Sequence, residues 1–208
     1  MSDLASLPAY GGPGWKPRAR TSRDELGTLW ASCGVDSEWL PLKSVLLHRP
    51  GLELEGVAGD PTGALMREEI DPSGISAQHD SLADLYRSQG IQVFYVVPPV
   101  TPPPNLIFAA DTFVMTPEGA ILARPASAVR AGEERWVARA LAELGIPVVR
   151  SVGGEGTFEG ADLMWLAPDA ALVAEGLRTN AQGVDQVESA LKDMGVRTFR
   201  THLPPGTM

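Results

Sequence analysis

A helix, a glycine and a β-rich strand follow one another three times in this chain, and no other feature constrains its fold as tightly. The junctions read LADLYRSQGIQVFYV, VARALAELGIPVVRS and VESALKDMGVRTFRT. In each, apolar residues recur at helical spacing, a glycine stops the helix, and a strand follows. Gly90, Gly145 and Gly195 are separated by intervals of about 50 residues, the range of repeated supersecondary units.

Two of the helices are preceded by matching hairpins. DTFVMTPEGAILAR and DLMWLAPDAALVAE have the same length, start with an Asp and carry a Pro-containing turn in the middle. Asp111 and Asp162 therefore hold the same position in successive units. The pattern predicts a unit of strand, strand, helix, strand, present three times: 42–100, 101–152 and 153–208. The first unit, opening with LKSVLLHRPG, is the least regular. Residues 1–41 form a Gly- and Pro-rich arm with a short helix near SRDELGTLWASCG. Units of this kind stack into an α/β propeller whose strand ends line a central pocket. An open α+β sandwich is the alternative.

Composition narrows the function classes. The longest apolar stretch, IFAADTFVM, is broken by Asp111, too short to span a bilayer, and the first residues lack the pattern of a secretory signal. No membrane partner is expected. The single cysteine, Cys33, rules out an intramolecular disulfide and favours a reducing, cytoplasmic location. A net charge of −9 disfavours nucleic acid as a partner, and the short basic cluster KPRARTSR reads as a solvated arm.

The stretch FEGADLMWLAPDAALVAEGLRTN places Glu159 and Asp162 just before the third unit's hairpin and Arg178 just after it. Folding alone explains some of this. Asp111 and Asp162 can cap backbone N–H groups, Glu159 can pair with Arg150, and Arg178 can lie on the surface. Asn180 is placed to cap a helix starting near Gln182. Arg124 and Arg130 flank the loop after the second hairpin, where they can form structural bridges at the ring's rim.

NLIFAADTFV, FEGADLMWL and GLRTN together resemble the guanidine-modifying enzymes, the group of arginine deiminases, dimethylarginine dimethylaminohydrolases and glycine amidinotransferases. The resemblance covers roughly residues 42–208. It implies the pentein fold, a propeller of five ββαβ units, of which this chain would supply the N-terminal three. It implies a guanidinium-binding carboxylate at Asp111 and a catalytic acidic residue, the partner of a catalytic His, at Glu159. Arg178 would hold a substrate α-carboxylate, Asn105 would lie near the substrate's amino-acid end, and Asp162 would join the substrate site. A planar cation with N–H groups in a fixed fork suits such carboxylates. In these enzymes a Cys thiolate attacks the guanidinium carbon while the His moves protons. The chemistry needs no metal and no cofactor, and no His/Cys/Asp cluster shows ligand spacing.

The chain departs from the pattern in two places. Position 110 is Ala, where dimethylarginine hydrolases carry Glu and amidinotransferases Arg. The nucleophilic Cys belongs in a fifth unit, and the catalytic His after a loop like LPPGTM. His202 is the nearest histidine; His48 and His79 read as structural, and Cys33 lies in the arm. The expected function is hydrolysis of the guanidino group of arginine or a related compound through a thiol-bound amidino intermediate, this chain supplying part of the site. Amidino transfer and a non-catalytic pentein-fold binding module are the alternatives. An open ring would expose its borders, SVLLHRPG and VRTFRTHL, to a second copy or to missing C-terminal units.

Overall fold

Gly90, Gly145 and Gly195 take φ of 77°, 71° and 78°, the left-handed region that only glycine enters at no steric cost, so each ends its helix and turns the chain into a strand. Around these stops the structure, a computed structural model describing residues 3–57 and 59–204, is assembled. The arm holds a short helix, α1 (Ser22–Glu25). The first unit is β1 (Ser44–Leu47), α2 (Pro72–Ser88) and β2 (Gln92–Tyr95). The second is β3 (Phe113–Thr116), β4 (Gly119–Leu122), α3 (Glu134–Glu143) and β5 (Val148–Ser151). The third repeats it as β6 (Leu163–Ala167), β7 (Ala170–Glu175), α4 (Ala181–Asp193) and β8 (Arg197–His202).

Sheet order follows the repeat. β3 pairs antiparallel with β4, which pairs parallel with β5; β6, β7 and β8 do the same. In the first unit β1 pairs parallel with β2, matching β4–β5 and β7–β8. The described residues contain no counterpart of β3 or β6 there, so the strand expected before β1 is not formed. The reason is local: a Pro-Leu-Lys segment precedes β1 where the other units carry hairpins. The three sheets are separate, and among the described residues they close no ring.

Consecutive units share cores, and β4 shows how. All four of its residues are buried, because a strand presents alternate side chains to opposite faces and here both faces are covered. Ala120 and Leu122 join Val137, Ala140 and Leu141 of α3 with Val96 and Leu106. Ile121 joins Val184, Val187 and Leu191 of α4 with Phe158 and Trp165. Unit two is thus packed between its neighbours. Trimming a fully buried leucine such as Leu191 in such a core costs about 2–5 kcal/mol.

Among the described residues, three hydrogen bonds fasten the arm to units two and three. Ala31 N–H donates to Gly145 O at 2.9 Å and Val35 N–H to Thr116 O at 3.1 Å. The Glu38 carboxylate accepts from Trp165 N–H at 2.9 Å. These bonds lie on units two and three, away from β1 and β8. Trp15, Trp30 and Trp39 remain exposed, so they do not supply the apolar cover that an open ring would call for.

Candidate functional site

The two aspartates that open the hairpins in the sequence sit in short 3-10 turns just before the strands. Asp111 is in Ala109–Thr112 and Asp162 in Gly160–Asp162. The turns meet because the chain between units two and three is pinned: Arg124 and Phe158 exchange both backbone hydrogen bonds at 3.0 Å, and Phe158 is wholly buried. Gly160 then lies so close to unit two that a Cβ there would stand 2.1 Å from Phe113 O and 2.5 Å from Ala110 O. Only glycine permits this backbone approach. Glu159 is carried beside Asp111 as a result.

Arg130 joins them. Its Nη1 donates to Asp111 Oδ2 at 2.6 Å and stands 3.7 Å from Glu159 Oε2. Its Nε and Nη2 both donate to Glu133 Oε2, at 3.0 and 2.8 Å. Nη2 also donates to the carbonyls of Phe108 and Asn105, at 3.2 and 3.4 Å. The Arg130 side chain is 3% exposed and that of Glu133 0%. Arg130 was expected as a rim bridge; the structure buries it at the centre of the cluster, because the Ala128–Arg130 turn aims it inward over the carbonyls of the preceding segment.

The Arg-Thr-Asn run after β7 completes the arrangement. Arg178 Nη1 donates to Glu159 Oε2 at 2.8 Å, so Glu159 pairs with Arg178 and Arg130 rather than with Arg150. Thr179 Oγ1 accepts from Glu159 N–H at 3.1 Å and donates to Asp162 Oδ2 at 2.5 Å. Asn180 Oδ1 accepts from Gly183 N–H at 2.9 Å, capping α4, and from Thr157 N–H at 3.0 Å. Three successive residues thus orient the two carboxylates and start the next helix.

Four carboxyl groups, Asp111, Glu133, Glu159 and Asp162, surround two guanidinium groups, Arg130 and Arg178. Burial pushes the Glu159 carboxyl up, against the Arg178 hydrogen bond. It pushes Asp162 up against its bond from Thr179 and Glu133 up to about 7 against Arg130. Burial disfavours an uncompensated anion, and Glu159 Oε1 and Glu133 Oε1 are buried without a hydrogen-bond partner among the described residues. Among the described residues the cluster thus holds two more carboxyl groups than guanidinium groups. Among the described residues no group of three or more His, Cys, Asp or Glu is placed to hold a metal ion.

The remaining candidates are scattered. Asn105 is buried and its side chain donates to Ala64 O at 2.9 Å; only its backbone carbonyl reaches the cluster, through Arg130. His48 is held between Val96 O and Glu53, and His79 is buried in α2. His202 ends β8 with a side chain 74% exposed, 3.8 Å from Glu175. Cys33 adjoins Gly34, which packs on Pro117 O in the β3–β4 turn. That is the far end of β3 from Asp111, about 13 Å along a four-residue strand, and burial pushes its thiol up, the reverse of an activated thiolate. The LPPGTM loop, where a catalytic His was expected to follow, lies outside the described residues from 205 onward. Two cavities, of about 590 Å³ at the ends of β1 and β2 and about 340 Å³ between the arm and β5, lie away from the cluster.

Sequence reasoning missed Arg130 as a site residue, and Glu133 and Thr179 altogether. Thr179 was legible in principle, sitting between two flagged neighbours. Glu133 occupies the N-cap of α3 yet caps nothing, a departure visible only once the helix start is known.

A dimethylarginine dimethylaminohydrolase from Streptomyces coelicolor is 31% identical over 159 residues, covering 76% of this chain and 59% of that protein. This chain's homologues are guanidine-modifying enzymes. The chain spans under two thirds of the length of that relative, and no protein-family model matches it. Its fold is that of a Pseudomonas aeruginosa dimethylarginine dimethylaminohydrolase solved with citrulline, with TM-score 0.68 at 23% identity over 80% of this chain and 63% of the other. An amidinotransferase of saxitoxin biosynthesis from Microseira wollei shares the fold with TM-score 0.61 at 17% identity, over 81% of this chain and 62% of the other. The mixed α/β architecture is therefore the pentein type. Among the described residues no helix is long and apolar enough to cross a membrane.

Proposed function

We propose that this chain carries the guanidinium-binding half of an amidine hydrolase acting on arginine or a related compound. One observation carries the reading: Glu159, 2% exposed, keeps an unpartnered buried oxygen beside Asp111, in a cluster with two more carboxyls than guanidinium groups. A substrate guanidinium supplies the missing charge and donors. Asp111 and Glu159 would take it, and Arg178, whose side chain is 36% exposed, would reach a substrate carboxylate. Asp162 would hold Thr179 and through it the Glu159 backbone, while Asn105 would shape the wall behind Arg130. Units 42–100, 101–152 and 153–208 would be consecutive blades of a propeller, preceded by an arm over 1–41.

In the reaction, a thiolate adds to the guanidinium carbon, the C–N bond to the departing amine breaks, and that amine leaves with a proton. Water then adds to the thiol-bound amidino carbon and the C–S bond breaks, giving a ureido product and the thiol. Cys33 stands at the wrong end of β3 for this, so the thiol comes from polypeptide beyond the residues described. A cytoplasmic setting suits such a thiol. Amidino transfer is the second reading, since the saxitoxin-pathway amidinotransferase shares the fold; it differs only in that an amine replaces water.

Calorimetric titration with L-arginine, asymmetric dimethylarginine and agmatine tests the reading. Asp111→Asn and Glu159→Gln are each expected to weaken binding by about tenfold or more, as loss of a charge-assisted hydrogen bond does, with circular dichroism unchanged. Full-strength binding by both variants would refute it.

A further inference from the structure

We propose that Glu133 is a positioning residue that sets the site's preference for a charged guanidino group, acting through Arg130 rather than on the ligand. The inference rests on the guanidino reading of the cluster. Arg130 has five N–H groups in one plane. Nε and one face of Nη2 are taken by a single oxygen, Glu133 Oε2, and the rest of Nη2 by the carbonyls of Phe108 and Asn105. That leaves Nη1 aimed between Asp111 and Glu159. The bond from below therefore fixes both the plane of the guanidinium and the gap between the two carboxylates.

Charge makes the same point. With Glu133 ionised, the Arg130 cation is matched from beneath, and Asp111 and Glu159 keep their negative charge for an incoming cation. With a neutral side chain at 133, the Arg130 charge falls wholly on Asp111 and Glu159 and competes with the substrate guanidinium. Stability does not explain the arrangement. A buried ion pair is weak evidence of stabilisation, and Glu133 Oε1 is left without a partner among the described residues, an unfavourable feature that function accounts for.

The test uses the full chain at pH 8 and compares a guanidino ligand, L-arginine, with its neutral ureido counterpart, L-citrulline. Glu133→Gln is expected to weaken L-arginine binding by about tenfold while changing L-citrulline by less than about twofold, since the lost interaction is one of charge. Glu133→Asp, which retains the charge, is expected to keep most of the preference. In proton–nitrogen spectra the Arg130 Nε–H signal, assigned by its loss in Arg130→Lys, is expected to be protected in the wild type and to vanish by solvent exchange in Glu133→Gln. Equal weakening of both ligands, or an unchanged Nε–H signal, would overturn the proposal. Wild-type protein that binds neither ligand would overturn the guanidino reading itself, and the spectrum would still decide whether Glu133 holds Arg130.

Discussion

Glu133, Glu159 and Asp162 are carboxyls that burial pushes up, and this has a pH consequence with a definite sign. A carboxyl that holds its proton more tightly in the folded chain adds stability below its unfolded value and loses it as pH rises through the folded value. For Glu133, facing Arg130, Asp111 and Glu134, the shift from 4.5 to about 7 places the window between those values. It amounts to roughly 3 kcal/mol. Chemical denaturation across pH 4 to 8 should show wild type losing stability relative to Glu133→Gln as pH rises through that window. Parallel curves would mean that Arg130 holds Glu133 ionised throughout. Asp111 is the other residue of interest, since Arg130 already occupies one of its oxygens; a ligand must share it.

Among the elements, the turn at Gly160 and the cap at Asn180 position the site. Gly160→Ala drives a Cβ into backbone oxygens that no side-chain rotation can move, and a loss of about 3 kcal/mol or more is expected from such overpacking. Thermal unfolding measures it; an unchanged midpoint would show that the two turns are not in contact. Asn180→Ala removes the α4 cap together with the bond from Thr157 N–H and should cost about 1–2 kcal/mol. The helix stops at Gly90, Gly145 and Gly195 were legible in the sequence because glycine alone accepts the left-handed turn, and the hairpins were legible by their equal length, opening Asp and Pro-containing turn. The capping role of Asn180 followed from its place before an apolar helix. Asp111, Glu159 and Arg178 stood out because a charge beside an apolar hairpin needs a reason. The burial of Arg130 and Glu133 was not legible, since an Arg-Ala-Gly-Glu loop reads as solvated unless one knows that unit three closes over it. The lack of a strand before β1 was only partly legible, in the Pro-Leu-Lys segment that stands where the other units carry hairpins.

For the whole molecule, the separation of Cys33 from the cluster carries the clearest prediction. The purified chain should turn over neither arginine, methylated arginines nor agmatine; citrulline or ornithine formation abolished by Cys33→Ala would reverse that and the topology behind it. The arm should matter for stability instead. Glu38→Ala leaves the Trp165 N–H without its carboxylate partner and is expected to cost about 1–3 kcal/mol, read by denaturant midpoint. The sharing of cores across β4 and the backbone exchange between Arg124 and Phe158 have a further consequence, for thermodynamics of recognition. Asp111 and Glu159 are attached to one rigid body, not to two that must close on a ligand. The freedom that a hinged site surrenders on association has here been surrendered at folding, so ligand capture should be fast, enthalpy-led and nearly free of backbone rearrangement.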